Sequence, residues 1–509
     1  MFNYELKVEE WIKKGNFDDA IEYYEEKASF FPNDNSIYPK IANLYYKKGD
    51  WIKAIEFYDF SLENTPNSAH IYNNIGHIYL DKDLYPQAEE NIKKAVELSP
   101  NNPYFMVNLG VTYEKMKKFN LATELFQKAL DLQPHNPNFL NSLAINLSNK
   151  KDYEKSLKYQ KQAVEIAPTN PQFNYNLGVT YSVLCMYEEA IKSFENVIKL
   201  IPNHENAHYN LGVNLLLLGR FEKGWFEYEW RFRFFPYIRA IYDLYWRGQS
   251  IENKIIYVHA EQGLGDTFQF SRYIKLLKKK KPRKIVLYVQ EDLREFMKDF
   301  KGIDEISFTP PLKIYKDGFH VCLLSLPALF KTNEKTIPNE IPYLFADKNE
   351  SEKWKKKLSN LKGLKVGIVW EPSIDSKTYD DRKVPLENFT TLFKNPKLSF
   401  VSLQKEISEK DKIFLKQNNV LDMSSQLEKF STTAGIINNL DLIIGIDTSV
   451  IHLAGAMGKK VYLMLPIKPD WRWMLNKPTS PWYPSMKLFR QKNRNNWSNV
   501  IKEIEKNLI

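Results

Sequence analysis

The chain has 509 residues, 43% of them hydrophobic and 26% charged, which is typical of a folded protein of several domains and excludes a disordered one. The formal net charge of +10 is unevenly distributed. Residues 1–236 carry 26 basic and 31 acidic side chains, whereas residues 237–509 carry 46 and 31. A basic half joined to a mildly acidic half favours a module for an anionic small ligand attached to a scaffold, with no nucleic acid partner.

Nothing in the sequence points to secretion or to a membrane span. The two cysteines, Cys185 and Cys322, are too few for a disulfide framework and suit a reducing compartment. No run of about 18 apolar residues is present, and the stretch MFNYELKVEEWIKKG holds three glutamates without the apolar run of a signal peptide. We therefore expect a cytoplasmic protein without a transmembrane segment, and peripheral contact with a membrane remains open.

Prolines recur every 34 residues in the first half, at positions 32, 66, 100, 134, 168 and 202. Two columns of small residues keep the same period: Ala20, Ala54, Ala88, Ala122, Ser156 and Ala190, and Ala42, Gly76, Gly110, Ala144, Gly178 and Gly212. Small residues let two antiparallel helices approach, and proline ends the second helix because it has no N–H to donate. The pattern resembles the tetratricopeptide repeat and predicts a superhelix of about six to seven helical pairs over residues 1–236, with a concave groove.

Asparagines recur in phase on the first helix of several repeats, at Asn74, Asn108, Asn176 and Asn210, and Ser142 interrupts the column. Each amide offers a donor and an acceptor at regular spacing. The column therefore predicts either a clamp for the backbone of a protein acceptor in the groove or hydrogen bonds between the helices themselves.

The seventh unit, Gly219–Phe232, departs from the repeat pattern and is crowded with aromatic residues. A single helix cannot bury so many rings. We expect the aromatic cluster around it to pack on the domain that follows; its members are Trp225, Trp230, Phe232, Phe234 and Phe235.

After residue 236 short apolar, β-branched runs alternate with helical segments, which predicts parallel sheets of the α/β class. Predicted strands include Ile255–Ala260 and Lys284–Val289 in a first Rossmann-like domain, residues 237–345, and Leu364–Trp370 in a second, residues 346–509. Ligands of such sheets bind beyond the carboxyl ends of the strands. The predicted site therefore lies in the cleft between the two domains.

Polar residues follow four of the predicted strands. HAEQGLGD (His259–Asp266) places Gly263 and Gly265 in a turn for which we expect a left-handed backbone and close approach to a ligand. Basic residues in a strand-end loop, hydroxyl groups at a helix start and a nearby histidine all suit a diphosphate. The residues on the other three strand ends that could contact such a diphosphate are Lys377, Arg382, Gln404, Lys405, Asp447, Thr448, Ser449 and His452.

Three stretches of the second half carry a resemblance to a known family. HAEQGLGD, DLIIGIDTSVIHLAGAMGK and PDWRWMLNKPTSPWYPSMKLFRQ are similar to bacterial glycosyltransferases of the heptosyltransferase-like group, from about Trp246 to Gln491, and more narrowly to their fusions with tetratricopeptide repeats. The layout is also similar to the O-GlcNAc transferase family, which glycosylates proteins. The resemblance implies the GT-B fold and transfer of a sugar, with inversion, from a nucleotide donor.

The resemblance also implies roles for individual residues. The aspartate of the G-x-G-D turn is the proposed general base of such enzymes, which implies Asp266, with His259 and Glu261 as alternatives. The D-T-x-x-x-H stretch faces the donor phosphates, which implies Asp447 and His452 with the hydroxyls between them. No D-x-D motif stands at a strand end, so we expect no metal and no cofactor, with the nucleotide sugar as substrate.

Three functions remain open at this point. The first is a glycosyltransferase whose repeat arm presents a protein acceptor. The second is a glycosyltransferase of lipopolysaccharide or surface-glycan synthesis. The third is an inactive scaffold, because Glu371 and Pro372 stand where relatives usually carry a small residue and glycine.

Overall fold

The computed structural model describes residues 2–32, 34–234, 242–308, 317–373 and 379–508. The chain forms two compact units, residues 1–200 and residues 201–509. The last helical pair, which the repeat pattern places in the arm, belongs to the second unit. Among the helices of the described ranges, none is both long enough and apolar enough to cross a lipid bilayer.

The first unit, called here the repeat arm, consists of antiparallel helical pairs. Its helices are α1 (Phe2–Lys14), α2 (Phe17–Phe30), α3 (Tyr38–Lys48), α4 (Trp51–Asn64), α5 (Ala69–Asp81), α6 (Tyr85–Leu98), α7 (Pro103–Lys115), α8 (Phe119–Leu132), α9 (Pro137–Asn149), α10 (Tyr153–Ile166), α11 (Pro171–Val183) and α12 (Tyr187–Leu200). Each second helix ends just before the periodic proline, as the sequence predicts.

Glycine and alanine make the close packing of each pair possible. A Cβ added at Gly110 would lie 2.7 Å from the ring of Phe126, and one at Gly178 would lie 2.8 Å from the ring of Phe194. Ala88 and Ala122 have no exposed surface. The predicted columns of small residues are therefore positions where one helix backbone touches the neighbouring helix.

The turn inside each pair shows a period that the sequence analysis missed. One residue in each turn has a positive φ, between 57° and 97°, and these residues stand 34 apart: Gly15, Gly49, Asp83, Lys117, Lys151, Cys185 and Gly219. The column is hard to recognise from the sequence because only three of its members are glycine, the residue that favours this backbone. Gly219 shows that the last pair keeps the repeat geometry although it lies in the second unit.

The second unit begins with α13 (Glu205–Leu217) and α14 (Phe221–Tyr228) and continues with two all-parallel sheets. The first sheet has the order β3-β2-β1-β4, with β1 (Ile255–His259), β2 (Lys284–Val289), β3 (Glu305–Phe308) and β4 (Gly318–Cys322). The second has the order β10-β9-β8-β5-β6-β7, with β5 (Leu364–Val369), β6 (Leu398–Ser402), β7 (Leu421–Asp422), β8 (Leu442–Ile446), β9 (Val461–Leu465) and β10 (Met486–Arg490).

Helices connect the strands of both sheets, as parallel pairing requires. They are α15 (Leu264–Phe270), α16 (Ile274–Lys278), α17 (Glu291–Met297), α18 (Leu326–Leu329), α19 (Lys348–Lys357), α20 (Tyr379–Arg382), α21 (Thr390–Phe393), α22 (Glu409–Gln417), α23 (Phe430–Asn438), α24 (Ser449–Ala456) and α25 (Ser498–Lys506). Strand β8 at the centre of the second sheet is buried along its whole length. Its carboxyl end leads directly into α24 and so positions the polar residues between them.

Part of the aromatic cluster packs on the region that follows the repeats, as expected. Trp225 is buried, its Nε1 donates to the carbonyl oxygen of Thr332 at 2.8 Å, and its ring contacts Trp471 at 5.2 Å. Phe232 contacts Tyr245 edge to face. Trp230 instead stacks on His208 of α13. The side chains of Phe234 and Phe235 lie outside the described residues.

Candidate functional site

The loop after β1 has a different backbone from the one expected. The left-handed residue is Gln262, with φ of 60°, whereas Gly263 has φ of −83° and Gly265 continues into α15. Asp266 accepts a hydrogen bond from the amide of Gly263 at 2.8 Å through Oδ2 and so caps the helix. The prediction of a left-handed turn at the glycines is therefore wrong, because Gln262 makes that turn.

Gly265 has a packing role instead. A Cβ at this position would lie 2.7 Å from the imidazole of His452, so the two approach as closely as only glycine permits. This contact brings α15, which carries Asp266, against α24, which follows β8. Two of the four motifs in the sequence thus meet directly.

The carboxylate of Asp266 is also paired with a buried arginine that the sequence analysis did not identify. Arg472 Nη2 donates to Asp266 Oδ1, and Arg472 Nη1 donates to Asp470 Oδ1 at 2.8 Å. Burial opposes the charge of Arg472, but Asp266 and Asp470 hold the pKa of the guanidinium well above its usual range. The sequence signal that could have identified Arg472 is the stretch PDWRW, which opens the third of the stretches that carry the resemblance.

The two alternative bases are enclosed elsewhere. His259 is buried, its Nε2 lies 2.9 Å from His320 Nδ1, and burial together with His320 lowers the pKa of His259 to about 3. Glu261 forms a bidentate ion pair with buried Arg231, at 2.8 and 3.1 Å. Each of the three candidate bases is thus bonded to a buried side chain, but the side chain of Asp266 is 15% exposed whereas His259 and Glu261 are almost fully buried.

A series of polar side chains in contact with one another begins at the end of β8. His452 lies 3.2 Å from Asp447 Oδ1 through Nε2 and 3.0 Å from the hydroxyl of Tyr483 through Nδ1. Burial raises the pKa of Asp447, but the bond to His452 and the charge of Arg382 outweigh it and hold that pKa below its ordinary value. The imidazole is therefore held in one orientation beside a carboxylate.

A pocket of about 190 Å³ opens at the carboxyl ends of β5, β6 and β8. Four of the predicted donor-binding residues line it: Gln404, Lys405, Thr448 and Ser449. The Oγ1 of Thr448 is a buried hydroxyl for which the described residues provide no hydrogen-bond partner. It stands at the start of α24, where backbone amides also favour an anion, so a ligand oxygen would satisfy it. Leu264, at the start of α15, lines the same pocket.

Arg382 and Gln404 form hydrogen bonds with the backbone around this pocket. Arg382 Nη1 donates to the carbonyl oxygen of Asp447 at 2.7 Å. The amide of Gln404 receives a bond from the backbone N–H of Glu371 at 3.2 Å and donates to its carbonyl oxygen at 3.0 Å. Glu371 in turn pairs with Lys383 at 2.5 Å. Lys377 lies outside the described residues.

The asparagine column of the arm makes bonds between successive repeats. Asn108 Nδ2 donates to Asn73 Oδ1 at 2.8 Å, and Asn176 Nδ2 donates to Asn141 Oδ1 at 2.9 Å. Asn74 bonds the hydroxyl of Tyr58, whereas Asn210 bonds the backbone of its own helix. The contacts of Asn74, Asn108 and Asn176 fit the second of the two expectations, hydrogen bonds between helices.

A metal ion would need several His, Cys, Asp or Glu side chains close together. In the part of the chain that the structure describes, no group of three or more His, Cys, Asp or Glu side chains could hold a metal ion. The pocket itself is lined by hydroxyl groups, by Lys405 and by four carboxylates, Asp292, Glu371, Glu406 and Glu428.

Comparison with known families identifies the repeats. The tetratricopeptide repeat family matches residues 69–102, 103–136, 137–170 and 171–204. Residues 69–204 are thus tetratricopeptide repeats, with the phase and period that the proline column predicts.

Comparison with individual proteins adds similarity over about half of the chain. Protein FlbA of Caulobacter vibrioides is 26% identical over 302 residues, which are 52% of this chain and 49% of FlbA. This chain therefore spans about half the length of that relative.

Solved structures are similar to this chain over part of its length. YrrB, described as a TPR protein with an unusual peptide-binding site, is 26% identical and covers 37% of this chain and 97% of its own, with a TM-score of 0.31. PilF of Pseudomonas aeruginosa is 20% identical and covers 40% of this chain and 93% of its own, with a TM-score of 0.35.

Proposed function

We propose that this protein is an inverting, metal-independent glycosyltransferase of the GT-B fold that moves a sugar from a nucleotide-sugar donor to a protein acceptor. One observation carries the proposal. Hydroxyl, amide and ammonium groups from two predicted strand-end motifs line one pocket of the second sheet, and α15, which carries Asp266, borders that pocket through Leu264. The pocket also carries the carboxylates of Asp292, Glu371, Glu406 and Glu428, so the phosphates would lie on the side of Lys405 and Thr448. Groups for an anion next to a helix that carries a candidate base are what such a transfer needs.

The donor side of the proposed reaction must stabilise the diphosphate as it leaves. Lys405 and the start of α24, with Thr448 and Ser449, would face the phosphate oxygens. The basic balance of residues 237–509, with 46 basic against 31 acidic side chains, favours an anionic substrate in this unit. These groups can stabilise the leaving charge without a metal ion.

The acceptor side needs a base that takes the proton of the attacking group. Asp266 would accept that proton while the acceptor oxygen bonds the anomeric carbon and the bond to the diphosphate breaks. A single displacement of this kind inverts the configuration at the anomeric carbon. All three candidate bases contact a buried side chain, but only Asp266 stands on α15, which reaches the pocket through Leu264.

The acceptor is proposed to be a protein because tetratricopeptide repeats form grooves that hold extended peptides. The arm is mildly acidic and carries a column of asparagines on the first helices of its repeats. A glycosyltransferase of surface-glycan synthesis is the second candidate, and the basic second unit is the feature that favours it.

Isothermal titration calorimetry and hydrolysis of a panel of nucleotide sugars would test the donor half of the proposal. We expect one nucleotide sugar to bind and to be hydrolysed slowly without acceptor. Lys405→Ala should weaken its binding, whereas Lys410→Ala, an exposed lysine paired with Glu387, should not. If no nucleotide sugar binds, the protein is not a glycosyltransferase and the scaffold function is favoured.

Mass spectrometry of a strain that lacks this chain would test the acceptor half. Loss of a hexose-sized mass from one or more proteins would support a protein acceptor. Unmodified proteins together with a shortened lipopolysaccharide or capsule would favour the second candidate instead.

A further inference from the structure

We propose that Arg472 is the residue that positions Asp266, so that the orientation of the candidate base depends on a side chain from the opposite sheet. The inference rests on the proposed function and deepens it. Asp266 stands after β1 of the first sheet, and Arg472 stands in the turn after β9 of the second. Their ion pair joins the helix after β1 to the turn after β9.

Both oxygens of the Asp266 carboxylate are engaged. Oδ2 accepts from the amide of Gly263 at 2.8 Å, and Oδ1 accepts from Arg472 Nη2. The side chain is only 15% exposed. A rotation about its side-chain bonds would therefore break two charge-assisted bonds, and each such bond is about twice as strong as a neutral one.

Arg472 is itself fixed from several directions. Asp470 Oδ1 accepts from the backbone N–H of Arg472 at 3.0 Å and from Nη1 at 2.8 Å. The guanidinium lies 4.4 Å from the ring centre of Trp471 and 5.6 Å from that of Phe270. Trp471 packs in turn on Trp225 and Tyr228 of α14. The position of the arginine is thus set before any substrate binds.

A purely structural role does not require a carboxylate at Asp266. Arg272, which is buried to the same degree in the same unit, shows that a buried arginine can be satisfied without a carboxylate. It donates to the carbonyl oxygens of Gln269 and Pro338 and to the hydroxyl of Tyr343, all neutral acceptors. Arg472 instead donates to the carboxylate of Asp266, which stands on the helix that borders the pocket through Leu264, and so forms a largely buried ion pair.

Arg472 would affect the reaction through the position of Asp266 and not by taking part in the proton transfer. The proton moves from the acceptor to Asp266, and Arg472 takes no proton. A base displaced by about 1 Å can lose about a hundredfold in rate, because the reacting atoms must be aligned within hydrogen-bond distance. Arg472 is therefore a positioning residue in the sense that it acts through Asp266.

A double-mutant cycle separates a positioning role of Arg472 from a purely structural role and from a role in donor binding. Transfer would be measured for the unsubstituted chain, Arg472→Gln, Asp266→Asn and the double variant, with donor affinity measured by calorimetry. We expect Arg472→Gln to lower kcat about ten- to a hundredfold with the donor Kd changed less than about twofold. In the Asp266→Asn background the same change should have no further effect. Arg472→Lys should restore part of the lost rate.

Arg272→Gln is the matched control. It removes an equally buried arginine that bonds Gln269 of α15 but neither oxygen of Asp266, so we expect a lower melting temperature and a clearly smaller loss of kcat than in Arg472→Gln. Additive losses in the cycle, a large rise in donor Kd for Arg472→Gln, or an equal loss of kcat in Arg272→Gln would each overturn the inference. If the unsubstituted chain transfers no sugar, the proposed function fails and the inference fails with it.

Discussion

Gly110 in the repeat arm and Gly265 in the second unit each allow a helix to lie against a ring. An added Cβ would come within 2.7 Å of Phe126 in the first case and of His452 in the second. In the arm the contact recurs with the 34-residue period and buries apolar surface. In the second unit the contact joins a capped aspartate to a histidine held by Asp447. The same close approach thus serves packing in one region and assembly of a site in the other.

This difference implies different responses to substitution. In the arm each contact is one of many equivalent contacts, so a change should alter local stability and leave the chemistry intact. In the second unit a single carboxylate carries the proposed proton transfer, so a change should stop the reaction and leave the fold intact.

The largest effect is expected for Asp266→Asn. The amide keeps the shape of the side chain and can still accept from Gly263, but it cannot take a proton. We expect turnover to fall by at least about a hundredfold, with donor affinity nearly unchanged and the melting temperature little shifted. Steady-state kinetics and calorimetry on the purified full chain would measure both. Normal turnover would show that Asp266 only caps α15.

Arg382→Ala should have the next largest effect, on donor binding. Arg382 holds the carbonyl oxygen of Asp447 and contributes positive charge near the pocket. Loss of one charge-assisted bond, about 1.5–3 kcal/mol, should raise the donor Kd by roughly tenfold or more. Calorimetry with the bound nucleotide sugar would measure it, with Lys410→Ala as the control. An unchanged Kd would remove Arg382 from the donor site.

Gly110→Val tests the arm. The new side chain would clash with the buried ring of Phe126, and such overpacking costs about 1–3 kcal/mol. We expect faster hydrogen exchange of the amides in α7 and α8 and unchanged donor binding. Lys115→Val is the control, because it places the same residue at an exposed position of the same helix. Weaker donor binding in Gly110→Val would mean that the two regions are energetically coupled.

The smallest effect is expected for the triple change Asn74→Ala, Asn108→Ala and Asn176→Ala. It removes amides that bond neighbouring repeats, each worth about 0.5–1.5 kcal/mol, and that would face an acceptor. We expect transfer to a protein acceptor to fall about two- to tenfold while donor hydrolysis is unchanged. Parallel loss of both activities would show that the column only holds the repeats together.

The sequence predicts the repeats and most strands well because both leave periodic or continuous apolar patterns. The proline and glycine columns locate every helical pair, and Lys284–Val289 forms a strand with the predicted bounds. The strand Met486–Arg490 was missed because a polar residue interrupts its apolar run. The four strand-end motifs do converge in part, since Gln404, Lys405, Thr448 and Ser449 line one pocket.

The rest of the site could not be predicted because it depends on contacts between distant residues. Arg472 stands 206 residues after its partner Asp266, and no spacing rule connects them. The left-handed residue of the first motif is Gln262, although two glycines stand next to it. The burial of His259 behind His320 also becomes visible only when β1 and β4 pair.

The pairing of Asp266 with Arg472 has a consequence for the order of folding. The bonds between repeats join residues about 35 positions apart, as in Asn108 and Asn73, so the arm can form from local contacts while it is being synthesised. The candidate base, by contrast, gains its second bond only after 206 more residues have been added and β9 has joined its sheet. Refolding followed by pulsed hydrogen exchange should show protection in the arm before protection in α15. A nascent chain would then acquire its means of holding an acceptor before it acquires an aligned base.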